Sequence, residues 1–261
     1  MLKLPIGSPS LNESSRNAIV KSRNHGEEVI IMRKALAVLL ILAGILLIFT
    51  PQIKDEVVKK TVNDTVNLLA DYPPEKIKVN EENEDAEFDF SIVEDISVTG
   101  TLLDASKVNP DLLIGQLVVP SIDLNIAVFR GINNVNLLAG AGTMKPNQKM
   151  GQGNYPLAGH YTQNKNVLFG SLMDVQVGDV IRLTNKETIF EYRAYDILLV
   201  PDTAVYIIED LEAEKRGNPI ISLMTCYYSS STGQRYFVMG DFVTSYPYSE
   251  DALLAEDEPQ P

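Results

Sequence analysis

Cysteine, histidine, tryptophan and basic residues are all scarce in this sequence, and each scarcity narrows what the protein can do. Its 261 residues include no tryptophan, one cysteine and two histidines. With one cysteine the chain has no internal disulfide, so Cys226 acts as a thiol, a thiolate or a buried apolar group. The formal net charge is −13 and no basic stripe is present, which argues against nucleic-acid binding.

The two histidines leave a narrow choice of general base. His25 lies in a polar N-terminal stretch without periodicity, whereas His160 closes the strand-like segment GNYPLAGH from Gly153. Gly159, just before it, lets the backbone approach a neighbour closely. His160 taken alone also fits a structural or exposed side chain, but it is the candidate base if the chain has acid–base chemistry.

The segment Ile220 to Asp241, IISLMTCYYSSSTGQRYFVMGD, has the pattern of a β-hairpin. An alternating apolar run ends at Cys226, a polar turn SSSTG follows, and Arg235 opens the return strand. Cys226 alone also fits a small packed side chain. Arg235, however, is always charged and presents several donors, which suit a thiolate or an oxyanion. A Cys, an Arg and a His at strand ends of one domain fit acyl transfer through a thioester.

These residues carry a resemblance to a known family. The runs LMTC at Cys226, QRY at Arg235 and AGH at His160, with the segment GTMKPNQKMGQGNYPLAGH, resemble the sortases, membrane-anchored cysteine transpeptidases of Gram-positive bacteria, and class A in particular. The similarity runs from about Ile114 to Val243. It implies an all-β, eight-stranded sortase-type barrel with short helices, whereas periodicity alone predicts a barrel or a sandwich.

The resemblance also implies a reaction. Cys226 would attack the Thr carbonyl of an LPxTG-like sorting motif, His160 would act as acid and then base, and Arg235 would hold the oxyanion or the substrate backbone. The acyl group would pass from Cys226 to an amine of a lipid-linked peptidoglycan precursor. The expected partners are that precursor, secreted proteins bearing the sorting signal, and the membrane, with no nucleic acid and no cofactor.

Candidate residues for the substrate groove also follow from the resemblance. The long connection from Val200 to Pro219 corresponds to a loop that closes over the sorting peptide in class A enzymes, and Val205 and Ile207 are its candidate contacts. Further candidates flank the expected catalytic positions: Ala158, Met224 and Thr225. All of them also fit ordinary core packing.

The sequence predicts no metal site. Some class A enzymes hold calcium with carboxylates in the loop before the His strand and in the Val200–Pro219 loop. Here the first loop, from Thr143 to Asn154, contains two lysines and no carboxylate, and a hard cation needs charged oxygen ligands. Glu209 and Asp210 remain in the second loop. The acidic run from Glu81 to Asp89 is interpreted as a solvated spacer, with a calcium site as the alternative.

The predicted domain order places an anchor before the catalytic domain. Residues 1–31 form a polar, non-native leader with Met32 as the true start, and residues 35–53 form an uncleaved transmembrane anchor. Residues 54–100 are a stalk or linker containing a short amphipathic helix, residues 101–245 the sortase domain, and residues 246–261 an acidic disordered tail. The predicted location is the cell membrane, with a cytoplasmic N-terminus and an extracellular catalytic domain.

Two alternatives remain open from the sequence. A specialised or pilin-polymerising sortase would use the same Cys, His and Arg, because these residues do not choose the acceptor. A catalytically inert barrel serving as a membrane-tethered binding module belongs to another class. A mass shift of Cys226 with a thiol-reactive sorting-peptide analogue would distinguish the enzyme from the binding module.

Overall fold

The computed structural model describes residues 13–89 and 96–256. The chain divides into two units, Met1–Pro51 and Gln52–Pro261. The helices are α1 (Glu13–Ala70), α2 (Pro74–Glu81), α3 (Val98–Asp104), α4 (Asp210–Arg216) and α5 (Glu250–Leu254). The strands are β1 (Leu113–Val119), β2 (Leu124–Phe129), β3 (Gly140–Thr143), β4 (Asn154–Ala158), β5 (Val180–Thr184), β6 (Thr188–Pro201), β7 (Ile220–Cys226) and β8 (Gln234–Pro247).

The eight strands close into a barrel in the order β1-β2-β3-β4-β7-β8-β6-β5. Two neighbouring pairs are parallel, β2 with β3 and β4 with β7, and the other pairs are antiparallel. Closure leaves no unpaired edge strand, which removes the usual site of edge-to-edge aggregation. The predicted eight-stranded barrel is confirmed.

The barrel interior is filled by alternating apolar side chains from the strands. Leu117, Leu157 and Leu223, from β1, β4 and β7, are fully buried in one cluster with Tyr192 of β6. Burial raises the pKa of the Tyr192 phenol, and its hydroxyl accepts the Gly151 N–H at 2.9 Å, so the buried polar group is satisfied. The core side chains thus pack β4 and β7 against β1 and β6 on the opposite side of the barrel.

The C-terminal part of α1 and all of α2 pack against the barrel. Val58, Val62 and Leu69 lie on one face of α1 and are buried in the barrel core cluster, as the helical spacing predicts. The Asn80 amide donates to the carbonyl oxygens of Pro110 at 3.0 Å and Leu113 at 2.8 Å. The region predicted as a stalk or linker over 54–100 therefore packs on the barrel in its described part before residue 90; residues 90–95 lie outside the described residues.

The acidic run Glu81–Asp89 also docks on the barrel instead of standing free in solvent. The Glu87 carbonyl oxygen accepts the Ile132 N–H at 2.6 Å, and the Asn83 carbonyl accepts from Arg130 Nε at 3.0 Å. The guanidinium of Arg130 lies 5.5 Å from the centre of the Phe88 ring. Backbone hydrogen bonds hold this segment on the barrel. Its acidic sequence gives no indication of these bonds.

The chain after β8 is ordered where the structure describes it, so a disordered tail over 246–261 is wrong for residues 246–256. Leu253 of α5 is fully buried in a cluster with Val118 and Ile189. Arg182 donates to the carbonyl oxygens of Leu253 and Ala255, which fixes the end of α5. Residues 257–261 lie outside the described residues.

The first unit carries the expected anchor segment within α1. From Met32 this helix contains a window of mean hydropathy 2.5, enough to cross a membrane by length and composition. Leu39, Leu42, Leu46 and Leu47 are each between 60% and 72% exposed. Such apolar exposure suits a lipid environment. The leader 1–31 remains a prediction, and its residues 1–12 lie outside the described residues.

Candidate active site

Two parallel neighbours, β4 and β7, carry the candidate base and nucleophile to the same end of the barrel. Their register pairs Ala158 with Met224, and the ladder continues as Gly159 N–H donates to the Met224 carbonyl at 3.0 Å. The Thr225 hydroxyl donates to the Gly159 carbonyl at 2.9 Å. His160 and Cys226 directly follow these paired residues, and both line the same pocket.

Strand β8 brings the candidate cation opposite the thiol. β7 and β8 are antiparallel, and Cys226 pairs with Arg235 at the end of the ladder. The turn between them contains a helical turn at Ser230–Thr232 and Gly233 in the left-handed region, φ +64°. The hairpin predicted over Ile220 to Asp241 is confirmed, and it gives Cys226 and Arg235 a rigid frame.

Phe169 supports the loop that carries His160. The Phe169 N–H donates to the His160 carbonyl at 3.2 Å, and a Cβ added at Gly159 would lie 2.6 Å from the Phe169 ring. The close approach expected from Gly159 is therefore to a fully buried aromatic ring. His160 is itself 7% exposed, so its side chain is held within the site.

A pocket opens between these strands and the β6–β7 connection. His160, Cys226 and Arg235 all line it. Most other lining residues are apolar: Ile132, Leu137, Met144, Ala158, Pro201, Ala204, Val205, Ile208, Met224 and Phe237. A mostly apolar wall with a few polar groups at one end suits an extended peptide whose reacting carbonyl lies at that end.

The predicted groove residues divide into two groups. Ala158, Met224 and Val205 line the pocket. Thr225 and Ile207 do not: Thr225 is fully buried with its hydroxyl on Gly159, and Ile207 is 2% exposed in the packing beneath the connection. On an alternating strand Thr225 faces away from Cys226, and Ile208, the next residue after Ile207, takes the lining position.

Several lining residues were missed from the sequence. Phe237 shares the face of Arg235 because it lies two residues further on β8, so the strand period was a usable signal. Asp202 lies 3.9 Å from the Arg235 guanidinium, carboxylate oxygen to nitrogen. Ile132 and Leu137 reach the pocket from the β2–β3 connection, and only the folded arrangement brings them there.

The side chain of Lys145 links the loop before β4 to the β6–β7 connection by an ion pair. Lys145 Nζ lies 2.7 Å from Asp210 Oδ1, and the same oxygen accepts the Asn154 N–H at 2.9 Å. The hydrogen bond from Lys145 lowers the pKa of Asp210, and the Asn154 N–H adds to the effect. Within the described residues no group of three His, Cys, Asp or Glu side chains is placed to hold a metal. Lys145 therefore joins the two loops that correspond to the calcium-binding loops of some class A enzymes.

Known proteins match this chain across the barrel and beyond it. A family model described as the Sortase domain matches residues 117–243. Sortase A of Listeria monocytogenes serovar 1/2a is 38% identical over 211 residues, covering 80% of this chain and 91% of the relative. Sortase A of Streptococcus agalactiae serotype III is 32% identical over 201 residues, covering 75% of this chain and 78% of the relative.

Solved structures agree. The crystal structure of Listeria monocytogenes sortase A superposes with a TM-score of 0.50 at 34% identity, covering 56% of this chain and 99% of that chain. Sortase C-3 from Streptococcus pneumoniae shares the fold, with a TM-score of 0.52 at 19% identity over 73% of this chain and 92% of that chain. The chain belongs to the sortase family, as a class A-like cysteine transpeptidase that acts at the cell wall.

Proposed function

We propose that this transpeptidase cleaves an LPxTG-like sorting motif between Thr and Gly and transfers the new carboxyl end to an amine of a lipid-linked peptidoglycan precursor. The observation that carries the proposal is the shared strand-end position of His160, Cys226 and Arg235 at one end of an apolar pocket. The pocket wall suits the Leu and Pro of such a motif, with Val205, Ala158 and Met224 as contacts.

The proposed reaction has two acyl-transfer steps. Cys226 Sγ attacks the Thr carbonyl, the C–N bond to Gly breaks, and His160 gives a proton to the leaving amine. The acceptor amine then attacks the thioester, the C–S bond breaks, and His160 takes the proton from the amine. Arg235 donates hydrogen bonds to the oxyanion in both steps. No metal or other cofactor takes part.

The proposed location is the outer face of the cell membrane. Sortases are cell-surface enzymes, and the apolar helix from Met32 is a candidate anchor. Arg33 and Lys34 precede the apolar run, which favours a cytoplasmic N-terminus and an outward catalytic domain. This location gives the site access to secreted proteins that bear sorting signals and to the precursor.

A trapped acyl-enzyme tests the proposed function. The full chain in detergent is incubated with an LPxTG-type peptide without acceptor, and its intact mass is measured after acid quench. The wild type should gain the mass of the peptide up to Thr, on Cys226. Cys226→Ala should neither gain this mass nor cleave the peptide, and His160→Ala should lose cleavage by about 10² or more. Cleavage by Cys226→Ala above background would contradict the proposal.

A further inference from the structure

A cluster of three tyrosines lies beside the candidate catalytic residues and outside the pocket. Tyr161 follows His160 in the chain, and Tyr227 and Tyr228 follow Cys226. The Tyr161 and Tyr228 rings meet edge to face with centroids 5.6 Å apart, and the Tyr227 and Tyr228 rings are 4.5 Å apart. None of the three lines the pocket assigned to the sorting peptide. We call these rings the tyrosine platform.

Tyr228 adopts an unfavourable conformation at the exposed edge of the platform. Its φ is +62°, in the left-handed region that an aromatic residue rarely adopts. Its side chain is 59% exposed, so burial does not offset this cost. Strain of this kind persists where the surroundings enforce it, and it is concentrated at functional sites.

The loop around Tyr228 is held by its own hydrogen bonds. The Tyr227 N–H donates to the Gln234 carbonyl at 3.1 Å, and the Tyr227 carbonyl accepts the Ser229 N–H at 2.8 Å and the Thr232 hydroxyl at 3.0 Å. The exposed ring is therefore carried on a preorganised turn. A preorganised aromatic surface binds a ligand at lower entropic cost than a mobile one.

The two-substrate reaction needs a second approach to Cys226. Once the thioester has formed, the acyl part of the sorting peptide occupies the pocket, so the acceptor must reach the carbonyl from another side. The residues of the tyrosine platform directly follow His160 and Cys226 in the chain and do not line the pocket. An aliphatic amine is mostly an ammonium at neutral pH, and aromatic faces attract ammonium groups and the alkyl chains that carry them.

We propose that the tyrosine platform is the acceptor subsite, where Tyr228 holds the aliphatic stem and primary ammonium of the incoming acceptor next to His160. This inference rests on the proposed function. The ammonium first releases one proton to solvent. The free amine nitrogen then bonds to the thioester carbonyl carbon as its second proton passes to His160, the C–S bond breaks, and Cys226 leaves as the thiolate. Removing the ring should therefore weaken transfer to a stem-bearing amine while leaving thioester formation intact.

The test compares two amines of different size with one donor peptide. The full chain in detergent receives an LPxTG-type peptide and either Nα-acetyl-lysine amide, which has an aliphatic stem, or hydroxylamine, which has none. Products of transfer and hydrolysis are quantified by mass. Tyr228→Gly removes both the ring and the backbone strain, so its loss of function cannot come from an unfavourable φ. Tyr228→Phe keeps the ring.

Tyr228→Gly should raise the KM for acetyl-lysine amide by about five- to tenfold and raise the share of hydrolysis. Its acyl-enzyme formation and its reaction with hydroxylamine should stay within about twofold of wild type, and Tyr228→Phe should behave like wild type. The matched control is Tyr206→Ala, since Tyr206 is 57% exposed and lies on the β6–β7 connection. It should leave the KM for the acceptor unchanged.

Two outcomes would overturn the inference alone. One is a wild type that forms the acyl-enzyme but does not transfer it to acetyl-lysine amide. The other is a Tyr228→Gly variant that transfers as well as wild type, or that loses both amines equally. A wild type that forms no acyl-enzyme would instead overturn the proposed function, and the inference with it.

Discussion

At the scale of single residues, Arg235 combines a permanent charge with a fixed fork of donors. One nitrogen of its guanidinium donates to the Gln234 carbonyl at 3.2 Å, and another lies 3.9 Å from Asp202. Its side chain is 23% exposed and lines the pocket. Lysine would keep the charge and lose this geometry.

We therefore expect Arg235→Lys to be nearly as harmful as Arg235→Ala. Loss of one preorganised oxyanion donor typically costs about 10² to 10³ in rate, or roughly 3 to 4 kcal/mol. The measurement is kcat/KM with a sorting peptide, together with the pH dependence of Cys226 alkylation. If Arg235→Lys retained more than about a third of the activity, a loss of only roughly 0.6 kcal/mol, a purely electrostatic role would be correct instead.

Gly159 permits the close contact that backs His160. Gly159→Ala should lower kcat by about tenfold or more, because the new Cβ would push against the Phe169 ring and shift the adjacent His160. The double variant Gly159→Ala with Phe169→Leu should regain part of that loss, since leucine frees space at the ring edge. Activity of the double variant no higher than that of Gly159→Ala would show that backbone conformation, not the ring contact, is at fault.

At the scale of elements, the Lys145–Asp210 pair joins two loops that border the site. Lys145→Met should lower the melting temperature at pH 7 modestly, since an exposed pair contributes about 1 kcal/mol or less, and Asp210 is 63% exposed. Because the pKa of Asp210 is lowered in the folded protein, this stabilisation is present above the ordinary Asp pKa of about 4 and is lost as the pH falls through the lowered value. The difference between variant and wild type should thus shrink as the pH falls below the ordinary Asp pKa.

A matched control is Lys215→Met, which breaks the exposed Lys215–Glu212 pair within α4 without touching the other loop. It should leave kcat/KM unchanged, whereas Lys145→Met should lower it.

Calcium or a chelator, at fixed ionic strength, should leave wild-type activity unchanged because the Lys145 ammonium already bridges the two loops. A severalfold stimulation by calcium would show that carboxylates such as Glu209 and Asp210 bind it after all.

The short helix α5 offers two adjacent leucines with opposite environments. Leu253 is fully buried and Leu254 is 43% exposed. Leu253→Ala should lower the free energy of unfolding by about 2 kcal/mol and expose the C-terminus to proteases. Leu254→Ala should change it by less than about 0.5 kcal/mol. Equal effects in a denaturant titration would mean that α5 does not add to the stability of the barrel.

The strands and the groove residues show which parts of the structure the sequence predicts and which it does not. Alternation predicted the final hairpin, because each of its strands has one face toward the core. The four-residue β3, GAGT, was missed, since it has almost no side-chain pattern to detect. Thr225 and Ile207 were misassigned to the groove because their neighbours Cys226 and Ile208 present the face that reaches it.

At the scale of the whole molecule, the N-terminal unit and the barrel unit differ in how far their apolar side chains are exposed. The helix from Met32 exposes many leucines, and exposing so large an apolar surface to water is unfavourable. This exposure agrees with the predicted anchor. The docked region before β1 was not predicted, because charge runs and prolines report exposure but not backbone pairing. Asn80 and Glu87 act there through contacts with distant main-chain groups.

The anchor carries a prediction about the start of the native protein. Translation from Met32 would place Arg33 and Lys34 directly before the apolar run, as in bacterial signal anchors. Intact mass or N-terminal sequencing of the protein purified from its own cells should therefore begin at Met32. Recovery of peptides from residues 1–31 in those cells would show that the leader is native.

The last strand of the barrel sets the order in which the protein can mature. β8 pairs with β6 along its whole length and with β7 on its other side, so the ring of strands stays open until residues 234–247 have been made. The partner of Cys226 lies on that strand, and β4 must meet β7 across more than sixty residues of chain. Such distant pairings form slowly. A nascent chain therefore holds Cys226 without its cross-strand partner Arg235 until synthesis is almost complete.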